Sequence, residues 1–163
     1  MITLVLGGTR SGKSAVAEKI AASSGDPVTY VATGWASDPA MAERIAAHRA
    51  RRPEHWATLE VIAHDLAHSI RGLKDTVLVD SLGTWVAAHR DFELDIDPLL
   101  HALTKRKGDT VLVSDEVGLG VHPSTDVGQR FRDALGSVNL AVAEVSDRVL
   151  LVIAGRALTL EPG

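Results

Sequence analysis

The stretch Gly7-Gly8-Thr9-Arg10-Ser11-Gly12-Lys13-Ser14 follows an apolar run, Ile2 to Leu6, and opens onto residues that favour a helix. Its spacing, GxxxxGK[ST], fits few local structures. Gly7 and Gly12 can take backbone angles closed to other residues, so the loop between strand and helix can wrap an anion with its N–H groups. The helix that follows presents unpaired donors and partial positive charge to the same anion. Lys13 brings a full charge to the outer phosphates of a triphosphate, and the Ser14 hydroxyl is placed to ligate Mg²⁺. The loop therefore predicts a bound nucleoside triphosphate, with Mg²⁺ at the Ser14 hydroxyl.

The rest of the chain supplies a frame for such a loop. "ITLVL" (2–6), "VTYVAT" (28–33), "TVLVD" (76–80), "TVLVS" (110–114) and "RVLLVIA" (148–154) are short runs rich in Val, Ile and Leu. Most lack apolar/polar alternation, the pattern of strands covered on both faces in a parallel sheet. "ATLEVI" (57–62) alternates more and reads as an edge strand. Helical segments are expected over 14–23, 38–51, 98–107 and 125–145, with Asp38, Lys107-Gly108 and Ser124 as boundary signals. This β-α-β order predicts a three-layer α/β fold, with the loops after the strands along one edge.

At 163 residues the chain suits one domain spanning 1–163. The formal net charge of -4 argues against a nucleic-acid partner. Without cysteine, thiolate metal sites, disulfides and cysteine nucleophiles are excluded. No apolar run is long enough to span a membrane or form a signal-peptide core, so a soluble cytoplasmic protein is expected.

A loop of this kind needs an acid at the end of another buried strand to orient the metal. Asp80 ends its strand directly and is favoured as the metal-side acid, with Ser14 as the second ligand. Asp115 and Glu116 follow "TVLVS" in a similar place, and Glu116 suits contact with an acceptor hydroxyl. In "MAERIAAHRARRPEHW" (41–56), helical spacing sets His48 among Arg44, Arg51 and Arg52. Neighbouring cations disfavour imidazolium and keep such a histidine nucleophilic, while the arginines can bind phosphoryl oxygens. Spacing alone favours the plainer reading, a solvated basic helix face.

"GGTRSGKS", "YVATG" (30–34), "MAERIAAHRARRPEHW", "LVDSLGTWV" (78–86), "SDEVGLGVHP" (114–123) and "RFRDALGSVN" (130–139) occur in that order. Together they resemble the bifunctional adenosylcobinamide kinase/adenosylcobinamide-phosphate guanylyltransferase family of cobalamin biosynthesis, over nearly the whole chain. The resemblance implies a RecA-like P-loop NTPase fold, a mostly parallel sheet flanked by helices, in a small homo-oligomer such as a trimer. It implies phosphorylation of a corrinoid, adenosylcobinamide, by ATP or GTP, then transfer of GMP from GTP through a guanylylated histidine. By motif position His48 carries GMP, with Lys13 and Glu116 as the other catalytic residues. Arg49, Ala50, Arg51 and Arg52, with Ala32, Thr33, Gly34, Glu60 and Asp80, fall where the family contacts nucleotide. A P-loop kinase for another small hydroxylated acceptor, and a GTP-dependent switch without turnover, remain the alternatives at this stage.

Overall fold

The computed structural model describes residues 1–25, 27–34, 43, 46, 50, 52–61 and 66–163. Within them run strands β1 (Ile2–Gly7), β2 (Val28–Ala32), β3 (Ala57–Glu60), β4 (Thr76–Asp80), β5 (Thr110–Asp115), β6 (Arg148–Ile153) and β7 (Arg156–Leu160). The helices are α1 (Lys13–Ala22), α2 (Leu66–Arg71), α3 (Leu82–Ala87), α4 (Asp97–Lys105) and α5 (Asp126–Glu144). The expected helix over 38–51 lies largely outside the described residues.

The strands form one seven-stranded sheet in the order β3-β2-β4-β5-β1-β6-β7. All neighbours are parallel except β7, which returns antiparallel to β6. As the alternation of "ATLEVI" predicts, β3 is an edge strand.

Side chains leave the sheet alternately to two apolar layers. Leu4, Val77, Val79 and Leu112 pack with Leu82, Trp85, Leu99, Leu103, Leu135 and Val142 on the face covered by α2 to α5. Val5, Tyr30, Leu78, Val111, Val113 and Val152 pack with Ala17, Ala21 and Trp56 on the face covered by α1. The central strands are buried on both sides, which is why their sequences read as unbroken apolar runs.

Three elements carry weaker sequence signals. The six-residue α3 is held by a capping box in which Ser81 and Thr84 exchange backbone and side-chain bonds. In α5 the cap is Thr125 rather than Ser124, its hydroxyl accepting from the Gly128 N–H. The two-residue turn Ala154-Gly155 has positive φ at both positions (50° and 73°), the backbone that suits a tight hairpin from β6 to β7. Gly108 also has a different role from the expected helix stop. A Cβ there would run into the Lys74 and Asp75 carbonyls.

At the opposite edge of the sheet from the glycine loop, Arg106 ties chain segments together. Its guanidinium donates to the carbonyls of Ile70, Leu73, Asp75 and Asp109 and to the Thr110 hydroxyl. Burial lowers its pKa, and the charges of Asp75 and Asp109 oppose that shift. Arg106→Met should destabilise the fold by about 3 kcal/mol, because the freed carbonyls lose charge-assisted partners while half-buried. Urea unfolding followed by circular dichroism checks this, and a loss within 0.5 kcal/mol (about the scatter of neutral surface changes) would reduce Arg106 to an ordinary surface cation.

Candidate nucleotide site

The parallel strands deliver the ends of β1, β2, β4 and β5 to one edge of the sheet, the edge where open α/β folds bind ligands. The expected residues that the structure describes can be placed against that edge. β1 ends at Gly7, and the chain crosses Gly8, Thr9 and Arg10, all exposed, before α1 begins at Lys13. Gly12 caps α1 in the left-handed region, φ 92°, as a loop of this spacing requires. Gly7 is required for another reason. It lies in the strand, where a Cβ would come 2.7 Å from the Val152 carbonyl and 2.5 Å from Ser11 Oγ. The hairpin turn braces the loop from the side, with the Gly155 N–H donating to the Ser11 carbonyl at 2.7 Å. Ser14, half-buried, is the second residue of α1.

Lys13 is only 5% exposed, so its ammonium needs a partner in the protein. It donates to the Gly8 carbonyl at 3.2 Å and pairs with Asp115 Oδ1 at 2.7 Å. Asp115 stands opposite Gly7 in the β1–β5 register. Its Oδ2 reaches the first turn of α3, where a Cβ on Gly83 would come within 2.7 Å of it. Glu116, the residue that the sequence favours for the acceptor hydroxyl, uses both carboxylate oxygens to accept the N–H groups of Gly118 and Leu119 at 2.9 Å each. Its carboxylate thereby shapes the loop after β5. Asn139 steadies the same strand end, accepting from the Ser114 hydroxyl and donating to the Asp115 carbonyl.

Asp80 ends β4, two strands from β1, and accepts a hydrogen bond from the Tyr30 hydroxyl at 2.8 Å. Burial, then the Asp80 charge and hydrogen bond, push the Tyr30 pKa far above its ordinary value. The Asp80–Ser81 peptide is cis. Beyond Asp80 lie Ala32, Thr33 and Gly34 at the end of β2, and exposed Glu60 at the end of β3. The Thr33 hydroxyl is committed to the protein. It donates to the Ser81 carbonyl at 2.6 Å, accepts from the Ser81 N–H at 3.0 Å, and meets the Thr84 hydroxyl at 2.7 Å. Gly34 packs against Thr84, whose Cγ2 would sit 3.3 Å from an added Cβ. Arg52 lies with its guanidinium carbon 3.6 Å from the centroid of the Tyr30 ring. Ala50 is exposed, while His48, Arg49 and Arg51 lie outside the described residues.

The described residues thus form two groups along one edge. The loop, Lys13 and Asp115 stand at β1 and β5; Ala32 to Gly34, Glu60 and Arg52 stand at β2 and β3, with Asp80 between. Residues 3–160 match the model of the family described as cobinamide kinase / cobinamide phosphate guanyltransferase. The chain belongs to that family. Its activities are those of the family: phosphorylation of cobinamide, which requires a nucleoside triphosphate, and guanylyl transfer to cobinamide phosphate, in cobalamin biosynthesis.

Among the curated relatives is the bifunctional adenosylcobalamin biosynthesis protein CobP of Pseudomonas aeruginosa, 41% identical, with 99% of this chain and 98% of that protein covered. The CobU proteins of Escherichia coli and Salmonella typhimurium are 35% and 34% identical, each over 95% of this chain and 97% of the relative. Family membership sets aside the kinase of an unrelated acceptor and the switch without turnover. Among solved structures, the type III secretion ATPase gives a TM-score of 0.57 at 14% identity, covering 92% of this chain and 51% of that one. The flagellar accessory protein FlaH of Methanocaldococcus jannaschii gives 0.55 at 14% identity, covering 98% and 77%. These two likenesses concern the fold alone, a RecA-like ATPase architecture. Among the described residues, no helix is long and apolar enough to cross a membrane.

Proposed function

We propose that this chain divides its two reactions between the two groups of residues along the sheet edge. In the kinase step the triphosphate sits in the loop from Gly7 to Ser14. Lys13 exchanges Asp115 for the β- and γ-phosphate oxygens. The acceptor hydroxyl oxygen bonds to the γ-phosphorus, the bond from that phosphorus to the β–γ bridging oxygen breaks, and the nucleoside diphosphate leaves. The hydroxyl proton passes to a carboxylate. Asp115, freed from Lys13, is better placed for this than Glu116, whose oxygens already hold the turn after β5.

The donor set here fits Mg²⁺. The Ser14 hydroxyl and the Asp80 carboxylate are hard oxygen ligands. Among the described residues no cluster of three His, Cys, Asp or Glu side chains forms a metal cage. That suits an ion held by one or two protein oxygens, water and substrate phosphates. Mg²⁺ bound there neutralises charge on the β- and γ-phosphates.

In the transfer step a ring nitrogen of His48 bonds to the α-phosphorus of GTP, the α–β bridging bond breaks, and pyrophosphate leaves. The cobinamide phosphate oxygen then displaces the imidazole, breaking the P–N bond. Arg49, Arg51 and Arg52, with Ala32, Gly34 and Glu60, form the guanylate side; Thr33 contributes through its backbone. β1 and β2 lie three strand spacings apart, about 14 Å at ~4.8 Å each. A motion of nucleotide or histidine segment between the two steps follows from that separation.

The observation that carries the reading is the buried Lys13 ammonium, paired with Asp115 at the root of an open glycine loop. A homo-oligomer, such as a trimer, is part of the proposal; exposed Ile153 and Leu158 beside and on the edge strand β7 support it. A cytoplasmic setting suits an enzyme drawing on ATP and GTP pools.

The test follows both phosphates. With adenosylcobinamide, γ-labelled nucleotide should label the corrinoid, whereas α-labelled GTP should first label the protein in an acid-labile bond and release pyrophosphate. Product carrying the α-label with no protein adduct at any time would establish direct transfer and overturn the histidine route.

A further inference from the structure

We propose that Tyr30 is a positioning residue for both reactions, its hydroxyl fixing Asp80 and its ring seating Arg52. This rests on the reading above, in which Asp80 faces the metal and the arginine segment faces guanylate. Tyr30 sits in the middle of β2 and is 4% exposed, packed in the layer that holds Ala17 and Ala21 of α1 and Trp56. From there the hydroxyl donates to Asp80 Oδ2 at 2.8 Å, and the ring lies 3.6 Å from the Arg52 guanidinium carbon.

A tyrosine buried in an apolar layer needs one partner for its O–H, and many polar atoms would serve. Here the partner is the carboxylate at the end of β4. A carboxylate with one oxygen fixed by a donor is held in one rotamer, which is how outer-shell partners tune hard-metal sites. On the ring face, Arg52 gains a cation–π contact, and its Nη1 also reaches the Thr58 hydroxyl at 3.4 Å. Arg52 is four residues from His48 in the chain. Seating Arg52 therefore fixes one end of the segment that carries the nucleophile. The two duties use different parts of one side chain, so they separate by substitution.

The experiment uses the full chain with a non-hydrolysable GTP analogue and Mn²⁺ as probe, bound metal being read by water-proton relaxation. Tyr30→Phe keeps the ring and removes the hydroxyl. It should weaken Mn²⁺ about tenfold, the lower end of outer-shell effects. Phosphoryl transfer should fall at low metal and recover at saturating metal, and at saturating metal the protein should form its GMP adduct at the parent rate, because the ring that seats Arg52 is kept. In an Asp80→Asn background the Tyr30→Phe effect on Mn²⁺ should vanish. Arg52→Lys keeps charge but loses the planar stack, and should slow adduct formation about fivefold.

Unchanged Mn²⁺ affinity in Tyr30→Phe, with Asp80→Asn itself weakened, overturns the hydroxyl role. Parent-rate adduct formation in Arg52→Lys overturns the ring role. If Asp80→Asn leaves Mn²⁺ affinity unchanged, the assignment of Asp80 to the metal falls instead, and the hydroxyl role falls with it. Melting temperatures within a few degrees of the parent show that each comparison is between folded proteins.

Discussion

His48→Ala should remove the covalent GMP adduct altogether while leaving phosphorylation of adenosylcobinamide within about threefold of the parent. The asymmetry comes from the chemistry of the two steps. Phosphoryl transfer requires positioning and positive charge around the γ-phosphate, which in the proposed site the loop, Lys13 and Mg²⁺ would supply without an imidazole. Guanylyl transfer through the enzyme requires a nucleophilic nitrogen, and alanine has none. Neighbouring arginines do not substitute, since a guanidinium stays protonated and has no free lone pair. The measurement is stoichiometry of protein-bound label from α-labelled GTP, beside corrinoid phosphate formed from γ-labelled ATP. Label retained at the parent level would place the adduct on another residue. A parallel collapse of both reactions, with the fold intact, would tie His48 to the triphosphate itself rather than to the α-phosphorus alone.

The loop was legible because its chemistry forces a spacing, and the central strands because burial on both faces leaves only apolar residues. "TVLVD" becomes β4 with the same bounds. β7 escaped for the opposite reason. Every one of its residues is exposed, so "RALTL" has no buried pattern to read. The clue was the turn, Ala154-Gly155, directly after an apolar run. α3 is too short for a helical period, and its mark was the Ser81–Thr84 box. Which of the two carboxylates meets Lys13 was also within reach. Val111 and Val113 face the α1 layer, and Asp115 continues their parity toward the helix that carries Lys13. Contacts between distant segments were not legible. Nothing in the sequence pairs Tyr30 with Asp80 and Arg52, because sheet order, not spacing, brings β2 beside β4 and β3. Thr33 shows the reverse case. Family position suggests a nucleotide contact, but its hydroxyl ties the end of β2 to the start of α3.

Lys13→Met should cut phosphoryl transfer by about 10³-fold, in line with the loss of one preorganised charge at a transferring phosphoryl group. Methionine fills much of the space of the lysine stem, so the packing around this 5%-exposed residue is kept. Asp115 loses its partner, but its side chain is 28% exposed and water can take up the charge. Stability should fall by about 1–3 kcal/mol, less than for a fully buried pair, and the rate loss, measured on folded protein, can be assigned to charge. Steady-state assays with adenosylcobinamide and γ-labelled nucleotide check the first part. Activity within tenfold of the parent would mean that the glycine loop is not the donor site.

The same variant also separates two ways of running guanylyl transfer. If GTP is attacked with its outer phosphates away from the loop, adduct formation should fall only about tenfold, because the arginine segment would still neutralise the leaving pyrophosphate. That is the expected result, given the roughly 14 Å between β1 and the proposed guanylate side at β2. If instead adduct formation falls as far as phosphoryl transfer, the pyrophosphate leaves from the loop itself. Both reactions would then share one seat for the β- and γ-phosphates, and only the segment bearing His48 would have to move.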